Sequence, residues 1–128
     1  MRRSISVDGD AAPDVVWERY ASLRHWRLWA PQIRWVEPAG HRLAPELSGL
    51  VHGPAGLRVS FVVEEVDERA RTWRWRVRQG PLQVTMEHGV FPTASGGTTA
   101  TLALDGPAVV ALAYPVVAQL ALRRLVSP

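Results

Sequence analysis

The sequence predicts an α+β domain in which a curved antiparallel sheet wraps around a long C-terminal helix. One observation is the segment Pro107–Val126, PAVVALAYPVVAQLALRRLV, which is apolar on almost every side and therefore needs cover. The other is the alternation of apolar and polar residues along most of the preceding chain, which is typical of strands with one covered face. Such strands supply the apolar surface that the helix requires.

Length and composition favour one globular domain over residues 1–128. The chain is 47% hydrophobic and 21% charged, which is enough apolar material for a core and a cavity. It has no cysteine, which excludes a disulfide framework and thiolate metal sites and favours a cytoplasmic location. All 15 basic residues are arginine and the net charge is only +3, so charge alone does not indicate a nucleic-acid partner.

Neither end of the sequence reads as a membrane segment. The N-terminal stretch MRRSISVDGD lacks the apolar core of a signal peptide. The apolar run Pro107–Leu122 contains Gln119 and is shorter than the roughly 20 residues that a membrane span needs. We therefore expect a buried helix and no membrane insertion.

The first half of the chain alternates short elements with turn signals. Val16, Trp17 and Tyr20 recur at helical spacing after Pro13, a residue that suits the first helical turn. The predicted elements are, in order, a strand at Ile5–Val7, a helix over 13–22, a helical turn at His25–Trp29 ended by Pro31, and strands at Ile33–Glu37 and Leu47–His52.

Four longer strands follow, and their apolar positions lie in Leu57–Val63, Trp73–Val77, Leu82–Val90 and Thr98–Leu104. A two-residue turn at Gln79–Gly80 sets Trp75 opposite Val84. A five-residue loop over 67–71 sets Trp75 opposite Val63, and it sets Arg74 opposite Glu64 on the polar face. One apolar face thus persists across three strands, which favours a single antiparallel sheet covered on one side.

Three residues each support a prediction about one position in the fold. Glu65 points toward the apolar face in this register, either as a residue at the mouth of a cavity or as the sign of a β-bulge. Asp105, before Gly106-Pro107, is predicted to cap the last helix. Pro115 removes a backbone hydrogen bond inside that helix and is predicted to kink or loosen it.

Short motifs occur in a characteristic order along the whole chain. They are Ala12-Pro13 before Val16-Trp17, the run HWRLWAP, Gly49 with the Gly53-Pro54 turn, the Val66-Asp67 strand end, the Trp73 and Trp75 strand, His88, and the Gly97-Thr98-Thr99 strand start. In this order they resemble the helix-grip fold of the START/Bet v 1-like (SRPBCC) superfamily, and most of all its polyketide cyclase/dehydrase-like branch. The resemblance implies a hydrophobic cavity between sheet and helix. It does not imply one activity, because members include lipid and hormone binders as well as aromatase/cyclases.

The inward positions of the sheet and of the last helix supply the predicted ligand-binding residues, which are Phe61, Trp73, Trp75, Val84, Met86, His88, Leu102, Val110, Tyr114, Val117, Ala118 and Ala121. His88 could bind a ligand hydroxyl or carbonyl, act as a general acid or base, or be a core histidine bonded to a neighbour. Tyr114 could place its hydroxyl in the cavity or at the surface. No cofactor is expected, and the four histidines lack metal-ligand spacing.

The remaining tryptophans and arginines have simpler interpretations. We interpret Trp17, Trp26, Trp29 and Trp35 as packing residues. In the fold that this sequence resembles, the Trp26 and Trp29 pair could also border the entrance to the cavity. The row Arg74, Arg76 and Arg78 is interpreted as a solvated outer face. A groove for nucleic acid would present aromatic side chains on the same surface, whereas Trp73 and Trp75 point the opposite way.

These residues leave three functional hypotheses. The first is binding of a small hydrophobic ligand, lipid-like or aromatic and polyketide-like, by a monomer or weak homodimer. The second is a polyketide cyclase or dehydratase that uses His88 and Tyr114 in the same cavity. The third is a protein-interaction module that uses its sheet surface, which a cavity filled by its own tryptophans would favour.

Overall fold

The computed structural model describes residues 1–128, and its seven strands form one antiparallel sheet against which the long C-terminal helix packs. The strands follow the spatial order β1-β7-β6-β5-β4-β3-β2. The elements are β1 Arg2–Gly9, α1 Pro13–Ala21, α2 Trp26–Trp29, β2 Trp35–Glu37, β3 Ser48–His52, β4 Arg58–Asp67, β5 Thr72–Gln79, β6 Leu82–Pro92, β7 Thr98–Asp105 and α3 Ala108–Leu125. This is the predicted α+β helix-grip architecture. The strand predicted at Ile33–Glu37 is shorter than expected and starts at Trp35.

The hairpin between β5 and β6 keeps the predicted faces but changes the predicted register. The turn is Gly80–Pro81 rather than Gln79–Gly80, so Trp75 lies opposite Met86 and Trp73 lies opposite His88. A shift of two residues leaves every side chain on its original face. Gly80 has a φ of 56°, which suits the first position of a two-residue hairpin turn. The continuous apolar face is therefore confirmed, while the neighbours across it are not those predicted.

A β-bulge interrupts the pairing of β4 with β5 between Val63 and Glu65. Val63 lies opposite Trp75, as predicted, but Arg74 lies opposite Glu65 and not Glu64. The extra residue turns Glu65 outward, where its carboxylate is 3.2 Å from Nη1 of Arg74. The bulge interpretation of Glu65 is confirmed, and its alternative placement at a cavity mouth is wrong.

The start of α3 differs from the prediction. Pro107 is the residue before the helix, and no side chain caps it. Asp105 instead ends β7, where it pairs with Arg2 and lies 3.6 Å from the N-terminal amine. The helix runs through Pro115 from Ala108 to Leu125.

The expectation of a buried helix holds for only one face of α3. The sheet covers one face of the helix, through residues such as Ala111, Ala118 and Ala121, and no further layer covers the opposite face. Val109 and Val116 remain 66% and 74% exposed there. By length and composition α3 is the one helix that could cross a membrane, and 33% of it is buried inside the fold.

The two short helices α1 and α2 close one end of the sheet with aromatic side chains. Trp17, Trp26 and Trp29 are buried there, as predicted. Trp35 packs against His52, with the ring centroids 4.3 Å apart, but it is 50% exposed and lies outside the core. The reason is that Trp35 and Glu37 point to the outer side of β2, whereas Val36 between them points inward and is buried.

Candidate ligand cavity

A cavity of about 380 Å³ lies between the inner face of the sheet and α3. Of its 25 lining residues 19 are hydrophobic, which makes the site suited to apolar molecules. The volume lies in the range of small-molecule sites in proteins, which begins at roughly 300 Å³. The tryptophans of α2 and β5 line this space and do not fill it.

Most of the residues predicted to face a ligand surround this cavity. The structure brings together Trp73, Trp75, Val84, Met86, His88, Leu102, Val110, Tyr114, Val117, Ala118 and Ala121. Phe61 is the exception. It is buried behind the wall, with its ring centroid 5.8 Å from that of Trp26 and 5.6 Å from that of Trp75.

Sequence reasoning missed the lining that comes from loops. Gln32 and Ile33 follow α2, and Gly53, Pro54 and Leu57 belong to the connection between β3 and β4. Strand alternation fixes side-chain direction only inside a strand, so no periodic signal could have assigned Gln32, Gly53 and Pro54 to the cavity. Ile33 and Leu57 begin predicted strands, and in the structure they precede the observed ones. The HWRLWAP run, which ends next to Gln32, was the one sequence feature that indicated this part of the cavity.

Exposed lining residues locate the mouth of the cavity. Pro54 and Leu57 lie on the connection between β3 and β4, Gln79 and Leu82 flank the hairpin between β5 and β6, and Val117 is on α3. All five are exposed, whereas Trp73, Met86 and His88 of the inner wall are buried. A ligand would therefore enter between these two turns and the middle of α3.

His88 is held from both sides of its ring by protein groups. Trp75 Nε1 donates a hydrogen bond to His88 Nε2 at 3.0 Å, and Tyr20 Oη lies 3.2 Å from His88 Nδ1. The ring also stacks on Trp73, with the centroids 4.5 Å apart and the planes 14° from parallel. The imidazole is thus an integral part of the aromatic core.

These bonds define the protonation of the imidazole. An indole N–H can only donate, so Nε2 of His88 carries a lone pair. The proton of the neutral ring is therefore on Nδ1, which donates to Tyr20 Oη. Burial lowers the pKa of His88 to about 3, and burial also raises the pKa of Tyr20. The imidazole is neutral near pH 7 and has no nitrogen free to take a proton from a substrate.

Tyr114 does not bond to His88. Its hydroxyl oxygen accepts a hydrogen bond from Gln32 Nε2 at 3.1 Å. Burial raises the pKa of Tyr114, and the bond from Gln32 opposes that effect only in part, so the phenol is neutral. Gln32 Oε1 and Trp73 Nε1 are buried without hydrogen-bond partners.

The cavity contains almost no charge. Its lining includes no acidic residue, and Arg78 is the single charged residue. The Arg78 side chain is exposed at the hairpin, where Nε donates to the Gly80 carbonyl at 3.4 Å. No group of three or more His, Asp or Glu side chains is placed to hold a metal ion. The site can enclose an apolar molecule and offer it a few neutral hydrogen-bonding groups.

Solved structures share this fold at low sequence identity. A protein of Nitrosospira multiformis superposes with a TM-score of 0.80 at 16% identity, covering 98% of this chain and 94% of that chain. Ara h 8.0201 superposes with a TM-score of 0.77 at 13% identity, with the same coverage of 98% and 94%. The di-domain ARO/CYC BexL of the BE-7585A biosynthetic pathway gives 0.79 at 16% identity, covering 98% of this chain and 45% of that chain. These likenesses establish the fold.

The sequence itself matches one protein family over nearly its whole length. No curated protein matches the chain. Residues 1–127 match the family described as "Polyketide cyclase / dehydrase and lipid transport". This match confirms the resemblance inferred from the ordered motifs. The chain belongs to the polyketide cyclase/dehydrase and lipid transport family of the START/Bet v 1-like (SRPBCC) superfamily.

Proposed function

We propose that the protein binds a small hydrophobic ligand, lipid-like or aromatic and polyketide-like, in the cavity between the sheet and α3. The observation that supports this proposal is the open space of about 380 Å³ with 19 hydrophobic residues among its 25 lining residues. Removing apolar ligand surface from water contributes about 25 cal/mol per Å². The family description, which includes lipid transport, supports the same class of ligand.

A binding assay with a matched pair of variants tests this proposal. The neutral dye N-phenyl-1-naphthylamine fluoresces strongly in apolar surroundings, so we expect its emission to rise when it is titrated with the protein. Ala118 lines the cavity and Ala113 lies on the exposed side of the same helix. Ala118→Phe fills the space and should weaken dye binding at least tenfold, whereas Ala113→Phe should leave it unchanged. No binding to the native protein, or equal binding by both variants, would contradict the proposal.

Catalysis of the cyclase or dehydratase type has less support. It would use His88 and Tyr114 together, but no hydrogen bond joins them, and both nitrogens of His88 are engaged by Tyr20 and Trp75. A general base needs a nitrogen within reach of the proton that it removes. The binding role therefore agrees better with the geometry than the catalytic one.

The proposal also covers the cellular location and the oligomeric state of the protein. We propose a cytoplasmic location, which the absence of cysteine and the soluble type of fold support. We propose a monomer or weak homodimer. The exposed apolar side chains of α3, such as Leu112 and Val116, offer a surface for weak self-association.

A further inference from the structure

The exposed side of α3 and the mouth of the cavity form one apolar surface. Seven of the 12 exposed large hydrophobic side chains lie there, five on α3 and two on the opposite side of the mouth. They are Val109, Leu112, Val116, Val117 and Leu120 on α3, with Leu57 and Leu82 across the mouth. We propose that this surface, the docking surface, binds peripherally to an anionic lipid bilayer. The inference goes beyond the proposed function, because it concerns the outside of the protein and needs no ligand in the cavity.

Helical spacing makes the apolar stripe on α3 continuous. Val117 lines the cavity and is 38% exposed. Leu120 follows Val117 by three residues and Val116 by four, so these three side chains are neighbours on the helix surface. Leu112 lies one turn before Val116 on the same side. The stripe therefore runs from the rim of the mouth to the side of α3 that faces away from the sheet.

The charges around the docking surface all have the same sign. Two arginines end α3, one lies at the hairpin between β5 and β6, and one directly follows Leu57. They are Arg123, Arg124, Arg78 and Arg58. All four are exposed, and none forms an ion pair. None of the 12 acidic residues belongs to α3 or to the two turns at the mouth.

An anionic bilayer matches both properties of the docking surface. The apolar side chains of an interfacial helix reach roughly 5–10 Å into the boundary between headgroups and acyl chains. Arginine side chains at the same depth bind the phosphate groups of anionic lipids. Since α3 has 18 residues and packs one face on the sheet, the contact is with the bilayer surface and is not a membrane span.

Other occupants match the docking surface less well. A second copy of the chain brings no acidic residue to this surface, so self-association through α3 leaves the arginines unpaired and is weak. An acidic protein could pair with the arginines. Only a bilayer also places the mouth of the cavity, with its apolar lining, against a medium in which hydrophobic ligands dissolve.

Co-sedimentation with vesicles tests the inference on the native protein. The vesicles are dioleoylphosphatidylcholine alone, or the same lipid with about 30% dioleoylphosphatidylglycerol, an anionic lipid. We expect binding to the anionic vesicles to be at least tenfold tighter, because each arginine near an anionic surface contributes about fivefold. Added salt should weaken this binding, since it screens exposed charges.

Two matched pairs of variants locate the contact. Arg124→Gln should weaken binding to the anionic vesicles about fivefold, and Val116→Glu should weaken it at least tenfold. The controls make the same charge changes in the loop between β4 and β5, at the opposite end of β5 from the hairpin. Arg69→Gln and Ala70→Glu should therefore leave binding unchanged. All four positions are exposed, and thermal melts establish that each variant folds.

Each outcome has a defined meaning. A native protein that binds neither vesicle, or both equally, overturns the inference, and so does equal weakening by Arg124→Gln and Arg69→Gln. A native dimer that Val116→Glu dissociates, without vesicle binding, assigns the surface to a second copy and also overturns it. Weakening confined to Arg124→Gln and Val116→Glu supports the inference.

The proposed function is tested separately, because dye binding is measured in solution without vesicles. Dye binding without vesicle binding would retain the proposed function and overturn the inference. Vesicle binding without dye binding would overturn the proposed function and retain the inference.

Discussion

His88 makes the stability of this fold depend on pH, and the substitution His88→Gln tests that dependence. Burial lowers the pKa of His88 to about 3 in the folded protein, whereas an unfolded chain leaves it near 6.5. As the pH falls below about 6.5, the unfolded chain gains a proton that the folded protein does not take up. The free energy of unfolding therefore decreases as the solution becomes more acidic.

The size of this effect follows from the two pKa values. Each pH unit between them lowers the free energy of unfolding by about 1.4 kcal/mol. From pH 6 to pH 4 the loss is about 3 kcal/mol, a large share of the 5–15 kcal/mol that stabilises an ordinary domain. Glutamine stays uncharged over this range, so His88→Gln should lack this contribution.

Urea unfolding followed by tryptophan fluorescence at pH 6, 5 and 4 measures the difference. Carboxylates contribute to acid destabilisation in every variant, and this shared contribution cancels when the slopes are compared. His41 is exposed, so His41→Gln is the matched control and should keep the native slope. The native protein should lose about 3 kcal/mol more than His88→Gln between pH 6 and pH 4. Equal slopes for the native protein and His88→Gln would refute this account of the buried imidazole.

Two further predictions concern α3 and its contacts. A Cβ at Gly9 would meet the carbonyl oxygen and Cγ2 of Val126, so Gly9→Ala should lower the free energy of unfolding by about 1–3 kcal/mol in urea titrations. Gly40→Ala meets nothing within 4 Å and should leave it unchanged, and equal effects would contradict the packing. Pro115 follows Tyr114, which lines the cavity, so Pro115→Ala should alter the exchange rate of N-phenyl-1-naphthylamine in stopped-flow experiments more than it alters stability. An unchanged exchange rate would rule out a role for Pro115 in ligand access.

Side-chain direction in the sheet could be predicted from the sequence, and the register of the hairpin between β5 and β6 could not. Trp73 and Trp75 alternate with arginines, and this period of two residues places them on one face whatever strand lies beside them. Their partners depend on where the hairpin turns. A move of the turn to Gly80–Pro81 changes every partner and preserves the face, so the apolar pattern contains no information about it.

The exposure of α3 and the position of Gln32 also could not be predicted from the sequence, for physical reasons. The length and composition of α3 indicate a helix, but they do not say how much of it the rest of the chain can cover, and Val116 remains 74% exposed. Gln32 lies in a loop, where no periodicity fixes the direction of a side chain. Its bond to Tyr114 joins residues 82 positions apart, which only the three-dimensional fold brings together.

A crystal structure of the protein with N-phenyl-1-naphthylamine tests the central claim most directly. The account predicts ordered ligand density between the sheet and α3, with the aromatic rings of the ligand against Trp73 and Trp75. An empty cavity at saturating ligand, or a ligand bound only on the outer surface, would contradict the claim that this cavity is the binding site.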